Sequence, residues 1–170
     1  MDPAPAPAPP PAPLVPGPDI VQRIHLENRL KGGASWFFWI AALSLINSIV
    51  VHTGSTWGFF IGLGVTQVID AVGTNWEGSL AKVITLGLDV MVAGMFVGLG
   101  YFGRRRVAWA YVMGMILYGL DGVLFAFISA WLEFGFHVFA LVMMYSGLQA
   151  HFELRKMETA TPAPATGPGA

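Results

Sequence analysis

"WGFFIGLGVTQVIDAV", residues 57–72, settles how many times this chain crosses a membrane. As a helix its sixteen residues reach about 24 Å, against roughly 30 Å of hydrocarbon in a bilayer. It also carries Gly58, Gly62, Gly64, Thr66, Gln67 and Asp70. Positive charge arbitrates. If the segment spans, Arg and Lys divide four (Arg23, Arg29, Lys31, Lys82) against five (Arg104, Arg105, Arg106, Arg155, Lys156). If it dips in and returns, the division is eight against one, with Lys82 alone opposite. The positive-inside rule prefers the second. The expectation is four spans, both termini cytoplasmic, and 57–72 as a half-inserted or re-entrant helix on the outer side.

The spans lie on either side of it. "ASWFFWIAALSLINSIVVH" (34–52) is the first, with Trp36 and Trp39 as interface anchors. Residues 80–102, 107–128 and 131–151 are three more, and the short connections at 103–106 and 129–130 force antiparallel neighbours. The composition agrees. Of 170 residues 55% are hydrophobic and 11% charged, against about 25% charged in a soluble domain. The fold class is therefore an all-α integral membrane bundle. A net charge of −1 leaves no basic face for nucleic acid. The absence of Cys excludes disulfides, thiolate metal sites and cysteine nucleophiles.

All 12 prolines fall in the tails. Residues 1–18 read as an extended, disordered Pro/Ala arm, and 153–170 as a polar helix end followed by a looser tail. Neither resembles a signal peptide. Between arm and bundle, Asp19 and Gln22 suggest a capping box. It would open an amphipathic helix within 19–33, lying on the membrane surface and stopped by Gly32-Gly33.

Acidic residues recur inside the greasy runs. "GLD" ends at Asp89 and again at Asp121, and "VID" at Asp70 is a weaker echo. Counting from the helix ends, Asp89, Asp121 and His137 sit roughly 14, 10 and 9 Å below the same membrane face. Glu133 and Asp70 fall near that face too. Each carboxylate costs about 2.5–3.5 kcal/mol at a helix centre, so such groups normally line a bundle interior or a watery cavity, with partners. Asp89 shares a helix face with Thr85 and Lys82, Asp121 with Tyr118, and His137 with Glu133 at i−4.

Two functions compete. The five residues could line an outward-facing pocket for a cation, a proton or a small polar ligand, used in transport or sensing. Oxygen and imidazole ligands would suit a hard or borderline divalent metal ion. Alternatively they only pair helices, in a non-catalytic accessory or scaffold protein. No H-E-x-x-H, G-x-S-x-G, Walker or Rossmann pattern is present, which argues against an enzyme. Gly54, Gly58 and Gly62, or Gly94 and Gly98, offer small-residue faces for close packing or a homo-oligomer. "GRRR" (103–106) reads as a topology signal against anionic lipid.

The stretches "WFFWIAALSLINS" (36–48), "GLGVTQVID" (62–70), "YGLDG" (118–122) and "FHVFAL" (136–141) resemble a family of small polytopic bacterial membrane proteins, over residues 31–158. The resemblance implies a bacterial plasma (inner) membrane location. It implies no activity and no functional residues.

Overall fold

The computed structural model describes residues 18–53, 63–74 and 79–160. They form α1 (Pro18–His52), α2 (Gly64–Thr74), α3 (Ser79–Arg104), α4 (Ala108–Phe127) and α5 (Trp131–Ala160). Four of these helices, α1, α3, α4 and α5, are long and apolar enough to cross a membrane. The 11 residues of α2 are not. Both Pro/Ala arms, Gly54, Gly58, Gly62 and the first part of 57–72 lie outside the described residues.

The four long helices form a ring in which α1 packs on α3 and α5, and α4 packs on the same two. Neighbours run antiparallel. Gly103 lies against Ala34 while Gly100 lies against Phe37 and Phe38, so α3 descends as α1 rises. Pro18 and Ala160 consequently share one end of the bundle, here the proximal end. The distal end carries α2 and the turn at 128–130. Aromatic rings run down the middle: Tyr111 against Phe37, Phe37 against Phe96, Phe96 against Tyr118 and Tyr118 against His137. Edge-to-face and offset contacts of this kind add about 0.5–1.5 kcal/mol each beyond area burial.

The expected stop at Gly32-Gly33 does not occur. α1 continues through both glycines as one helix of 35 residues, about 52 Å long. The reason lies at Gly33. A Cβ there would stand 2.7 Å from the Cα of Gly147, so the two glycines let the α1 and α5 backbones touch. That contact offsets the roughly 1 kcal/mol that a helical glycine costs. The segment before Gly32 packs against α5. Leu26 and Leu30 are buried with Ala150, Leu154 and Met157 of α5, in a second small core beyond the main one. Both helices are longer than the roughly 30 Å that a bilayer crossing needs, and their paired proximal ends form a two-helix stalk.

"GRRR" also divides. Arg106 turns inward, 2.7 Å from Glu27 and 2.5 Å from Glu158, and so ties α1, the α3–α4 turn and α5 together. Arg104 lies over the Phe38 ring and donates to Ser35 Oγ at 2.8 Å. Arg105 lies over Tyr101. Arg106 pays for its position with a left-handed backbone, φ 63°; Ser129 in the next turn has φ 59°.

Candidate functional site

Asp121 stands on the buried face of α4, one turn after Tyr118. Its carboxylate does not face hydrocarbon. Oδ2 accepts the backbone N–H of Gly64 at 2.7 Å and Oδ1 that of Val65 at 2.8 Å. These are the first two N–H groups of α2, which have no partner within their own helix. The preceding N–H, of Leu63, donates to Ser44 Oγ of α1 at 2.8 Å. The N-terminus of α2 is therefore buried inside the bundle and closed by side chains from two other helices. A carboxylate at this position also meets the partial positive charge of a helix N-terminus.

His137 of α5 completes the arrangement. Its Nδ1 lies 2.8 Å from the Glu133 carbonyl oxygen, which can only accept, so Nδ1 carries hydrogen. Its Nε2 lies 3.0 Å from Asp121 Oδ2. A lone pair on Nε2 facing an ionised carboxylate would repel, so a proton lies between them. Whether drawn as imidazolium–carboxylate or imidazole–carboxylic acid, the pair is neutral overall, and in a low-dielectric interior that matters. Tyr118 stacks on the imidazole at 4.2 Å and Phe125 covers it at 5.0 Å. Gly122 leaves the room: a Cβ there would meet His137 Cβ at 2.9 Å.

Asp70 and Asp89 form a separate level. Gly73 of α2 packs directly on Thr85 of α3. Three residues back from Gly73 is Asp70, and four on from Thr85 is Asp89; these helices run antiparallel, so the carboxylates stand level across the seam. The α1–α3 register, fixed at Ala34 and Gly103, sets Ser48 level with Asp89. Asp89 is completely buried and Asp70 is 3% exposed, as are Ser48 (0%), Asn47 (3%) and Thr85 (4%). Polar residues thus gather where α1, α2 and α3 meet.

The four acids and one imidazole expected to share one pocket are divided in two. Asp121 and His137 are bonded to each other and to α2. Asp70 and Asp89 occupy the α2–α3 seam. Glu133 contributes its backbone carbonyl to His137 rather than its carboxylate. Among the described residues no three His, Asp or Glu converge to hold a metal ion. Sequence reasoning passed over Ser44, whose hydroxyl donates to Ile40 and accepts from Leu63. Its spacing to Ser48 on one helix face was the available signal. Tyr111, donating to the Leu30 carbonyl, left no signal at all.

No family model, curated protein or solved structure matches this chain. Its function has to be read from its own residues.

Proposed function

We propose that this chain is a multi-pass membrane protein that binds a small cation at the Asp70–Asp89 level, in transport or sensing across a bacterial plasma membrane. In this reading both termini are cytoplasmic, because eight of nine Lys and Arg residues fall at the proximal end. α2 is then the returning half of a re-entrant segment in the outer leaflet, held at its buried tip by Asp121 and His137. One observation carries the binding role. Two acids, Asp89 at 0% and Asp70 at 3% exposure, are buried at one level of the α2–α3 seam, where hydrocarbon would cost less. Carboxylate, hydroxyl and amide oxygens are the donors that hard cations take.

The test is thermal unfolding of purified protein in detergent, with sodium, potassium, magnesium or calcium chloride compared against choline chloride. Binding to the folded state alone stabilises by about 2.7 kcal/mol at a hundredfold excess over Kd. One of these cations should raise the Tm of the wild type and leave Asp89→Asn unmoved, with the variant still folded. An equal response in both proteins refutes the site.

A second reading, a non-catalytic accessory or scaffold protein, is favoured by the Asp121–His137 pair, whose hydrogen bonds join α4 to α2 and to α5. It expects no cation to distinguish Asp89→Asn from the wild type. In either reading Gly94 and Gly98, with nothing within 4 Å of them, are the face of α3 left for a second copy of the chain.

A further inference from the structure

At the proximal end, a cavity of about 290 Å³ opens between α4 and α5, lined by Arg106, Ala108, His151, Leu154, Arg155 and Glu158. Two kinds of positive character and one buried imidazole converge on it. Arg155 is exposed and, among the described residues, makes no ion pair. α4 begins at Ala108 and no side chain caps it, so the positive end of its helix dipole has no capping side chain. His151 is 6% exposed, and its buried Nδ1 has no hydrogen-bond partner. The one acid present, Glu158, is already held by Arg106 at 2.5 Å and by Arg23 at 3.5 Å. Arg155 is left as the cation of the cavity that no acid pairs with among the described residues.

One helical turn deeper, the same seam turns apolar. Ala108 is followed at i+4 by Val112, and His151 is preceded at i−3 by Leu148. Val112 and Leu148 begin a groove of about 520 Å³ that continues past Ile116, Leu141, Val142 and Tyr145. Val112, Ile116 and Val142 are 42%, 51% and 57% exposed, so the groove faces the surrounding bilayer. A charged head site thus lies one helical turn from an apolar groove on the same α4–α5 seam.

We propose that the α4–α5 seam binds one anionic phospholipid, its phosphate held by Arg155, His151 and the N-terminus of α4, and an acyl chain lying in the Val112–Leu141–Leu148 groove. Charge complementarity selects the head and the continuous apolar lining selects the tail. Free phosphate would use only the upper half, and a partner helix would leave the cationic cavity unfilled. The site is independent of the Asp70–Asp89 level on the other side of the bundle.

Native mass spectrometry of delipidated protein, titrated with phosphatidylglycerol, tests this. Arg155→Gln and Val142→Trp remove the head contact and fill the groove, and both positions are exposed enough to leave folding intact, which circular dichroism checks. The wild type should retain one phosphatidylglycerol, and each variant should bind it about fivefold or more weakly, the size expected for one lost charge contact at a membrane surface. Phosphatidylcholine should bind the wild type more weakly than phosphatidylglycerol. Equal binding of phosphatidylglycerol by wild type and Arg155→Gln overturns the head site. An effect of Arg155→Gln without one of Val142→Trp, with inorganic phosphate competing at millimolar concentration, overturns the lipid in favour of a free anion.

Discussion

The carboxylate of Asp121 accepts the N–H of Gly64 at 2.7 Å, although 57 residues separate the two along the chain. That bond explains why a charged side chain sits in an apolar helix. A helix that begins inside a bundle exposes N–H groups where no water reaches them, and each unsatisfied group costs about 1–3 kcal/mol. Asp121 serves two at once, and His137 keeps the resulting unit neutral.

Asp121→Asn should therefore destabilise the protein by about 2–4 kcal/mol, because an amide offers one acceptor oxygen to two N–H groups and turns its NH₂ toward the other. Asp89→Asn should lose less, since the start of α2, the buried helix terminus among the described residues, is held by Asp121 and Ser44. Thermal or denaturant unfolding in detergent ranks the two. If Asp121→Asn melts with the wild type, the capping role is wrong.

The glycines make opposite demands. A Cβ at Gly114 would run into the Phe37 ring, and one at Gly33 would stand 2.7 Å from the Gly147 backbone. Overpacking of this kind typically costs 1–3 kcal/mol, roughly the loss to be seen in Gly33→Ala and Gly114→Ala. Gly33 should suffer more in the stalk, because neighbouring backbone yields less readily than a ring. Gly87 and Gly94 have nothing within 4 Å. Alanine at either should be neutral or stabilising by up to about 1 kcal/mol, through helix propensity alone. A melting series over these four variants checks the order.

Ser129 and Arg106 share a left-handed backbone but should respond oppositely to glycine. Ser129 is exposed, with φ 59°. A left-handed residue bearing a Cβ costs roughly 1–2 kcal/mol, so Ser129→Gly should gain about 0.5–1 kcal/mol after the added freedom of the unfolded chain. Arg106→Gly relieves the same strain but removes the bridge to Glu27 and Glu158. It should lose stability, and lose less of it at high salt, where the wild-type bridge is itself screened. A gain in Arg106→Gly at low salt would show that the bridge contributes nothing.

The long helices were legible because each carries an unbroken apolar run longer than a bilayer needs. Their antiparallel order followed from two connections too short to allow anything else. The break at Gly32-Gly33 was misread because a glycine pair signals a helix end only when no partner backbone lies beside it, and Gly147 is 114 residues away. The site was half legible for a related reason. Depth placed Asp121 and His137 in one layer, and they do bond. Depth says nothing of azimuth, so it merged them with Asp89 and Asp70, which face a different seam. The role of Asp121 as a cap needed the position of Gly64, and no local pattern around either residue contains it.

Topology is the remaining expectation that one experiment can overturn. Four antiparallel helices put the 103–106 turn, Pro18 and Ala160 at one end, and the start of α3 at the other. Eight basic residues mark the first end and Lys82 alone the second. A reporter active only outside the cytoplasm should be silent when fused after residue 104 and active after residue 75. If α2 instead belonged to a complete fifth crossing, residue 104 would exchange sides relative to the N-terminus while residue 28 in the stalk would not. The comparison to make is therefore between 28 and 104, which share a compartment only when the 53–78 segment returns to the side it entered from. Removing charge sharpens the test. With Arg104 and Arg105 changed to Gln, and Arg106 kept for its bridge, the orienting bias falls from eight against one to six against one, which should still hold the proximal end inside.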